Sequence, residues 1–143
     1  ANAPTFDRAV RRTALGEDAE TEGGKRPRSS MAPTLVLRDG QPVLALGSPG
    51  GSRIIGYNFN VLTNILDYGL DRQAAVNAPR IVARNGGVTL DSELYATLSG
   101  GLSARGFSVS DGNTGSVQVV MVGEDGMVYG AADPRRQGLA LGH

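Results

Sequence analysis

The chain has 143 residues, 40% of them apolar, and its 14 basic residues balance 14 acidic ones. Zero net charge argues against a dedicated nucleic-acid binder, which carries a basic excess, and the length suits one domain or a large piece of one. With no Cys, and with His143 the one His, disulfides, Cys-ligated zinc, a thiol nucleophile and His-based metal or catalytic sites drop out.

Residues 1–24 show no apolar period. They hold acidic Glu17, Asp18, Glu20 and Glu22 and end on Gly23-Gly24, which reads as a surface loop or flexible arm. The first residues lack the charged and apolar regions of a signal peptide. No apolar run approaches the roughly 18 residues of a membrane helix.

Order is expected from Pro33. Two apolar runs, residues 34–38 and 41–46, flank Asp39-Gly40, a strong short-range hairpin signal. A glycine-rich loop, Gly47-Ser48-Pro49-Gly50-Gly51-Ser52, follows. Residues 53–68 then read as a helix with two apolar stripes side by side. One is Ile55, Phe59, Leu62 and Leu66; the other is Ile54, Val61, Ile65 and Tyr68. So wide an apolar face predicts a well-buried helix. Gly69 is placed to stop it.

Asp71 is placed to cap a short helix over residues 72–77, which Pro79 prevents from continuing. Residues 80–84 and 88–90 read as short strands. Asp91 or Ser92 is placed to cap a further helix to about Arg105, weakened by Gly100-Gly101 and ended by Gly106. Residues 107–110, 117–122 and 127–129 read as strands, with Glu124-Asp125-Gly126 as the last turn. Strands and helices interleave without strict βαβ alternation, which favours an antiparallel sheet with helices packed on it.

Three segments carry potential chemistry. The loop Gly47-Ser48-Pro49-Gly50-Gly51-Ser52-Arg53 lies between a strand and a helix, where free N–H groups and the helix dipole favour an anion or a developing oxyanion. A tight strand-to-helix turn needs the same residues, and the spacing is not that of a P-loop. In Lys25-Arg-Pro-Arg-Ser29-Ser30-Met31, two adjacent hydroxyls beside basic residues suit a carboxylate; a solvated basic loop is the plainer reading. At the end of the chain, Asp133 and Arg135 form either a structural ion pair or one member of a site.

Taken in order, KRPRSSMAPTLVL, GSPGGSRII, LDYGLDRQAAVNAPR and VGEDGMVYGAADPRR resemble the small subunit of γ-glutamyltransferases over residues 25–138. The resemblance implies an α+β fold, the αββα sandwich of N-terminal-nucleophile hydrolases, of which residues 25–143 supply the C-terminal part of the small-subunit catalytic domain. It implies a single precursor that cuts itself into large and small subunits. An N-terminal Thr, expected upstream of Ala1, then attacks γ-glutamyl amides such as glutathione. Ser29 and Ser30 match the pair that holds the glutamyl α-carboxylate. The backbone N–H groups of Gly50 and Gly51 match the oxyanion hole. No metal or organic cofactor is implied. The implied partners are the large subunit and the preceding part of the small subunit, and the implied location is the periplasm or the medium. Residues 1–24 fall where the family has a lid loop. The alternatives are an acylase or amidase of the same fold acting on another acyl group, and a non-catalytic remnant.

Overall fold

In the computed structural model, residues 29–84, 86–112 and 115–142 are described. The chain divides into two compact units, Ala1–Ser30 and Met31–His143. The expected arm over residues 1–24 lies outside the described residues.

The second unit opens with a hairpin, β1 (Thr34–Arg38) and β2 (Gln41–Gly47). Its turn residues Asp39 and Gly40 both take left-handed backbone, φ 51° and 77°. This is the conformation a two-residue hairpin turn demands. Pro42 has no N–H to give the ladder, and the register shifts beside it, from Val36↔Leu44 to Leu37↔Pro42, leaving Val43 as a bulge. β2 pairs with β6 (Gln118–Val122) and β6 with β7 (Val128–Ala132), so β1-β2-β6-β7 is one antiparallel sheet.

Side-chain alternation gives this sheet two different faces. Leu44, Leu46, Val119 and Ala131 are buried, and they form the core with helices α1 (Ile54–Leu66) and α2 (Arg72–Asn77). Leu35, Leu37, Val120, Val122 and Val128 point the other way and are exposed.

α1 corrects an expectation. Ile54, Tyr57, Val61 and Ile65 are buried against the core, but Ile55, Phe59 and Leu66 of the first stripe, and Tyr68 beyond the helix, are more than half exposed. The helix packs on one side only among the described residues. Its end is as expected: the Asp67 and Tyr68 N–H groups both donate to the Thr63 carbonyl, and Gly69 turns at φ 66°. The Asp71 cap is also present, its Oδ1 accepting from the Gln73 and Ala74 amides at 2.9 and 3.4 Å.

A second sheet holds β3 (Ile81–Arg84), β4 (Gly87–Leu90) and β5 (Ser108–Asp111). β3 and β4 are antiparallel, but β4 and β5 are parallel. The expectation of a wholly antiparallel sheet therefore fails here. Helix α3 (Ser92–Ser103) is long enough to carry the chain back to the same end of the sheet, which makes β4-α3-β5 a crossover unit. Gly106 ends α3 with φ 87°, and the Phe107 N–H reaches back to the Leu102 carbonyl. The expected side-chain cap on α3 is absent. Asp91 occupies the cap position without capping, because its carboxylate is drawn to Arg80 and Arg135.

Candidate functional site

The turn between β2 and α1 is shaped by glycine. Gly50 sits at φ 144°, and Gly51 at φ 57° opens a single 3₁₀ turn, Gly51–Arg53, that runs into α1. A Cβ on Gly50 would lie 2.4 Å from Cε2 of Tyr57, whereas one on Gly51 would meet nothing within 4 Å. Tyr57 is 4% exposed, and its ring also fills the space a side chain on Gly115 would need, at 2.3 Å. The buried ring thus holds two glycine backbones against it.

Gly50 and Gly51 are themselves exposed. Neither amide N–H donates to another described residue. Two unspent donors at the start of a helix are equipped to bind an anion or to stabilise an oxygen on which charge develops.

Ser29 and Ser30 are the first described residues and belong to the Ala1–Ser30 unit. Ser29 is exposed and Ser30 half-buried. Lys25, Arg26 and Arg28 lie outside the described residues. Just beyond the pair, the chain is fixed to α1. Asn58, 3% exposed, donates from Nδ2 to the Ala32 carbonyl at 2.7 Å, and the Thr34 hydroxyl donates to the same oxygen at 3.1 Å.

The chain end forms a buried ionic network. Asp133 is fully buried and takes Arg80, also fully buried, as its partner through Nη2. It also accepts from the Val117 amide at 2.9 Å and from the Arg135 amide at 3.0 Å. Burial pushes the Asp133 carboxyl up. The Arg135 amide, the Arg80 guanidinium and the Val117 amide outweigh it and hold the group below the usual carboxylate range. Arg135 binds Asp91 at 2.7 Å and donates to the Val76, Asn77 and Ala78 carbonyls at the end of α2. Burial works against its charge, but Asp91 and Asp133 raise its pKa above the ordinary value. The Asp133–Arg135 pair read from the sequence is present at 3.1 Å, as part of a structural network.

Sequence reasoning missed four residues that shape these features. Tyr57 and Gly115 form the seat of the Gly50 turn, and the one available signal was an aromatic in register with Ile54, Val61 and Ile65. Asn58 is a polar residue on the inner side of α1, and Arg80 is an arginine with no exposure; neither has a local sequence mark. Among the described residues no cluster of three metal-ligating side chains occurs, and no helix is long and apolar enough to cross a membrane.

Comparison with known proteins gives one consistent result. The family model described as Gamma-glutamyltranspeptidase matches residues 9–143. A glutathione hydrolase proenzyme of Escherichia coli is 43% identical over 129 residues, 85% of this chain and 22% of that protein. An "Acylase ACY 1 proenzyme" of Pseudomonas is 34% identical over 117 residues, 80% of this chain and 21% of that protein. The chain thus spans about a fifth of the length of these curated relatives. The gamma-glutamyltranspeptidase of Pseudomonas nitroreducens complexed with L-DON superposes with a TM-score of 0.77 at 35% identity, over 86% of this chain and 67% of that one. The shared fold is the arrangement of two sheets flanked by helices that the resemblance implied.

Proposed function

Because the chain belongs to the gamma-glutamyltranspeptidase family, we propose that it is the C-terminal part of the small subunit of an enzyme that transfers or hydrolyses γ-glutamyl groups of glutathione-like amides. The nucleophile in this reading is an N-terminal Thr contributed from outside these residues, released when a precursor cleaves itself. The Thr hydroxyl attacks the γ-carbonyl carbon, and the carbonyl oxygen gains negative charge. The N–H groups of Gly50 and Gly51 donate to that oxygen, and loss of one such donor typically costs about 10²–10³ in kcat. The amine leaves, and water or a second amine resolves the γ-glutamyl enzyme.

Ser29 and Ser30 donate to the α-carboxylate of the glutamyl group. The partners are the large subunit and the remainder of the small subunit. No metal or organic cofactor takes part, and the location is the periplasm or the medium.

The observation that carries this reading is the Gly50-Gly51 pair, with neither amide donating to another described residue and the Gly50 backbone held against Tyr57. Adjacent amides at exposed glycines, with open space beside Gly51, suit the oxygen of a tetrahedral intermediate. The test is intact-mass analysis of the full-length, processed protein during turnover of a γ-glutamyl anilide. One polypeptide is expected to begin with Thr and to gain the mass of a single glutamyl group at steady state. Hydrolysis without such an adduct, or no hydrolysis at all, would refute the proposal.

A second reading is favoured by the 34% identity to the acylase proenzyme: the same fold and covalent chemistry, with an acyl group that lacks an α-carboxylate. The Ser29-Ser30 pair ranks it below the first, since two hydroxyls are superfluous for an acyl group without that charge.

A further inference from the structure

We infer that Asn58 is a positioning residue for glutamyl recognition, holding the segment that carries Ser29 and Ser30 through the Ala32 carbonyl. The inference rests on the γ-glutamyl reading above, because it assigns Asn58 a role through that serine pair.

The geometry is specific. Asn58 lies on the inner side of α1, between Tyr57 and Val61, at a place where the helix is otherwise apolar. A buried carboxamide there is costly unless it is bonded. Its Nδ2 meets the Ala32 carbonyl at 2.7 Å across 26 residues of sequence. The Thr34 hydroxyl donates to the same carbonyl at 3.1 Å, so two donors converge on one oxygen. Ala32 precedes Pro33, which restricts its backbone to extended conformations, and Pro33 fixes its own φ. The chain is therefore stiff and anchored two residues after Ser30. Among the described residues Asn58 Oδ1 has no partner. Packing economy does not explain a side chain that satisfies only its donor; holding the Ala32 carbonyl does.

The helix that bears Asn58 is also the one that begins at the Gly50-Gly51 turn, and Tyr57, the neighbour of Asn58, fixes that turn. One element thus carries the glycine turn at its start and grips the Ala32 carbonyl a few residues on. Slack at Ala32 loosens the carboxylate contact without touching the reacting carbonyl. Binding suffers more than chemistry, and only for substrates with an α-carboxylate.

The experiment is steady-state kinetics of the full-length, processed protein with two anilides, one γ-glutamyl and one of the same length without the α-carboxylate. Asn58→Asp keeps the shape and removes the donor; Asn58→Leu removes both polar atoms. Each is expected to raise KM for the γ-glutamyl anilide about 10-fold with kcat within about 3-fold, as loss of a hydrogen bond that orients a charged contact does. KM for the second anilide should stay at the wild-type value. Thr34→Val, which removes the weaker donor, should act in the same direction by about 2–3-fold, and it decides the matter if the Asn58 variants do not fold. Equal effects on both anilides, or an unchanged KM, would overturn the inference. Ser30→Ala run alongside separates the two proposals: a raised KM in Ser30→Ala with none in the Asn58 and Thr34 variants sinks the role of Asn58 alone.

Discussion

Gly50 has room for no side chain, and its backbone lies where L residues are strained. A methyl group there would sit 2.4 Å from the Tyr57 ring, at φ 144°, so either the ring or the turn must move. Gly51 carries only the second burden, at φ 57° with open space around it. Gly50→Ala is therefore expected to lower the stability of the processed protein by more than the roughly 1–2 kcal/mol that a left-handed backbone costs alanine, whereas Gly51→Ala stays within that range. Urea unfolding of both variants checks this, and equal losses would remove Tyr57 from the account. The diglycine was legible in the sequence as a turn suited to an anion. The seat formed by Tyr57 and Gly115 was not, because the contact between those two spans more than fifty residues and leaves no local mark.

At the scale of elements, Asp133 joins the chain end to β6 and to the start of β3. Its carboxylate takes Arg80, the Val117 amide and Arg135, while Arg135 also reaches the carbonyls that close α2. Removing one partner of such a buried pair costs about 3–5 kcal/mol, because the other charge is left uncompensated. Asp133→Asn is expected to lose stability on that scale in thermal or urea unfolding. The network also sets an acid limit. The folded-state pKa of Asp133 lies below its unfolded value, so the unfolded chain takes up the proton first. Its contribution is fully present above the unfolded pKa of about 3.9 and fades as pH falls through the lower folded value. The wild type should lose stability in that acid range, and Asp133→Asn should show a flatter acid limb; parallel limbs would contradict the assignment. The sequence showed Asp133 and Arg135 as a possible pair. Arg80 escaped notice because a wholly buried arginine defies its usual place at the surface, and Asp91 was read as a helix cap, the obvious use for a carboxylate at that position.

Across the whole molecule, nearly every strand and helix was legible from periodicity and turn residues. Asp39-Gly40, Gly69 and Gly106 mark boundaries the structure keeps. Which face of an element is covered was not legible. The Ile55, Phe59 and Leu66 stripe on α1, and Leu35, Leu37, Val120 and Val128 on the sheet, are as apolar as their buried counterparts yet exposed. Periodicity reports that a face is apolar, not what lies against it. The parallel pairing of β4 and β5 was hidden likewise, since strand partners are a tertiary choice. The proposed γ-glutamyl chemistry requires the acyl group to be bound through an α-carboxylate at Ser29 and Ser30. The most direct test compares kcat/KM of the processed protein and its Ser29→Ala/Ser30→Ala variant on a γ-glutamyl anilide and on an anilide lacking that carboxylate. Each lost hydrogen bond to a charged group is worth about 1.5–3 kcal/mol. A fall of at least about 10²-fold is therefore expected on the first substrate and little change on the second. An equal kcat/KM for variant and wild type on the γ-glutamyl anilide would contradict it.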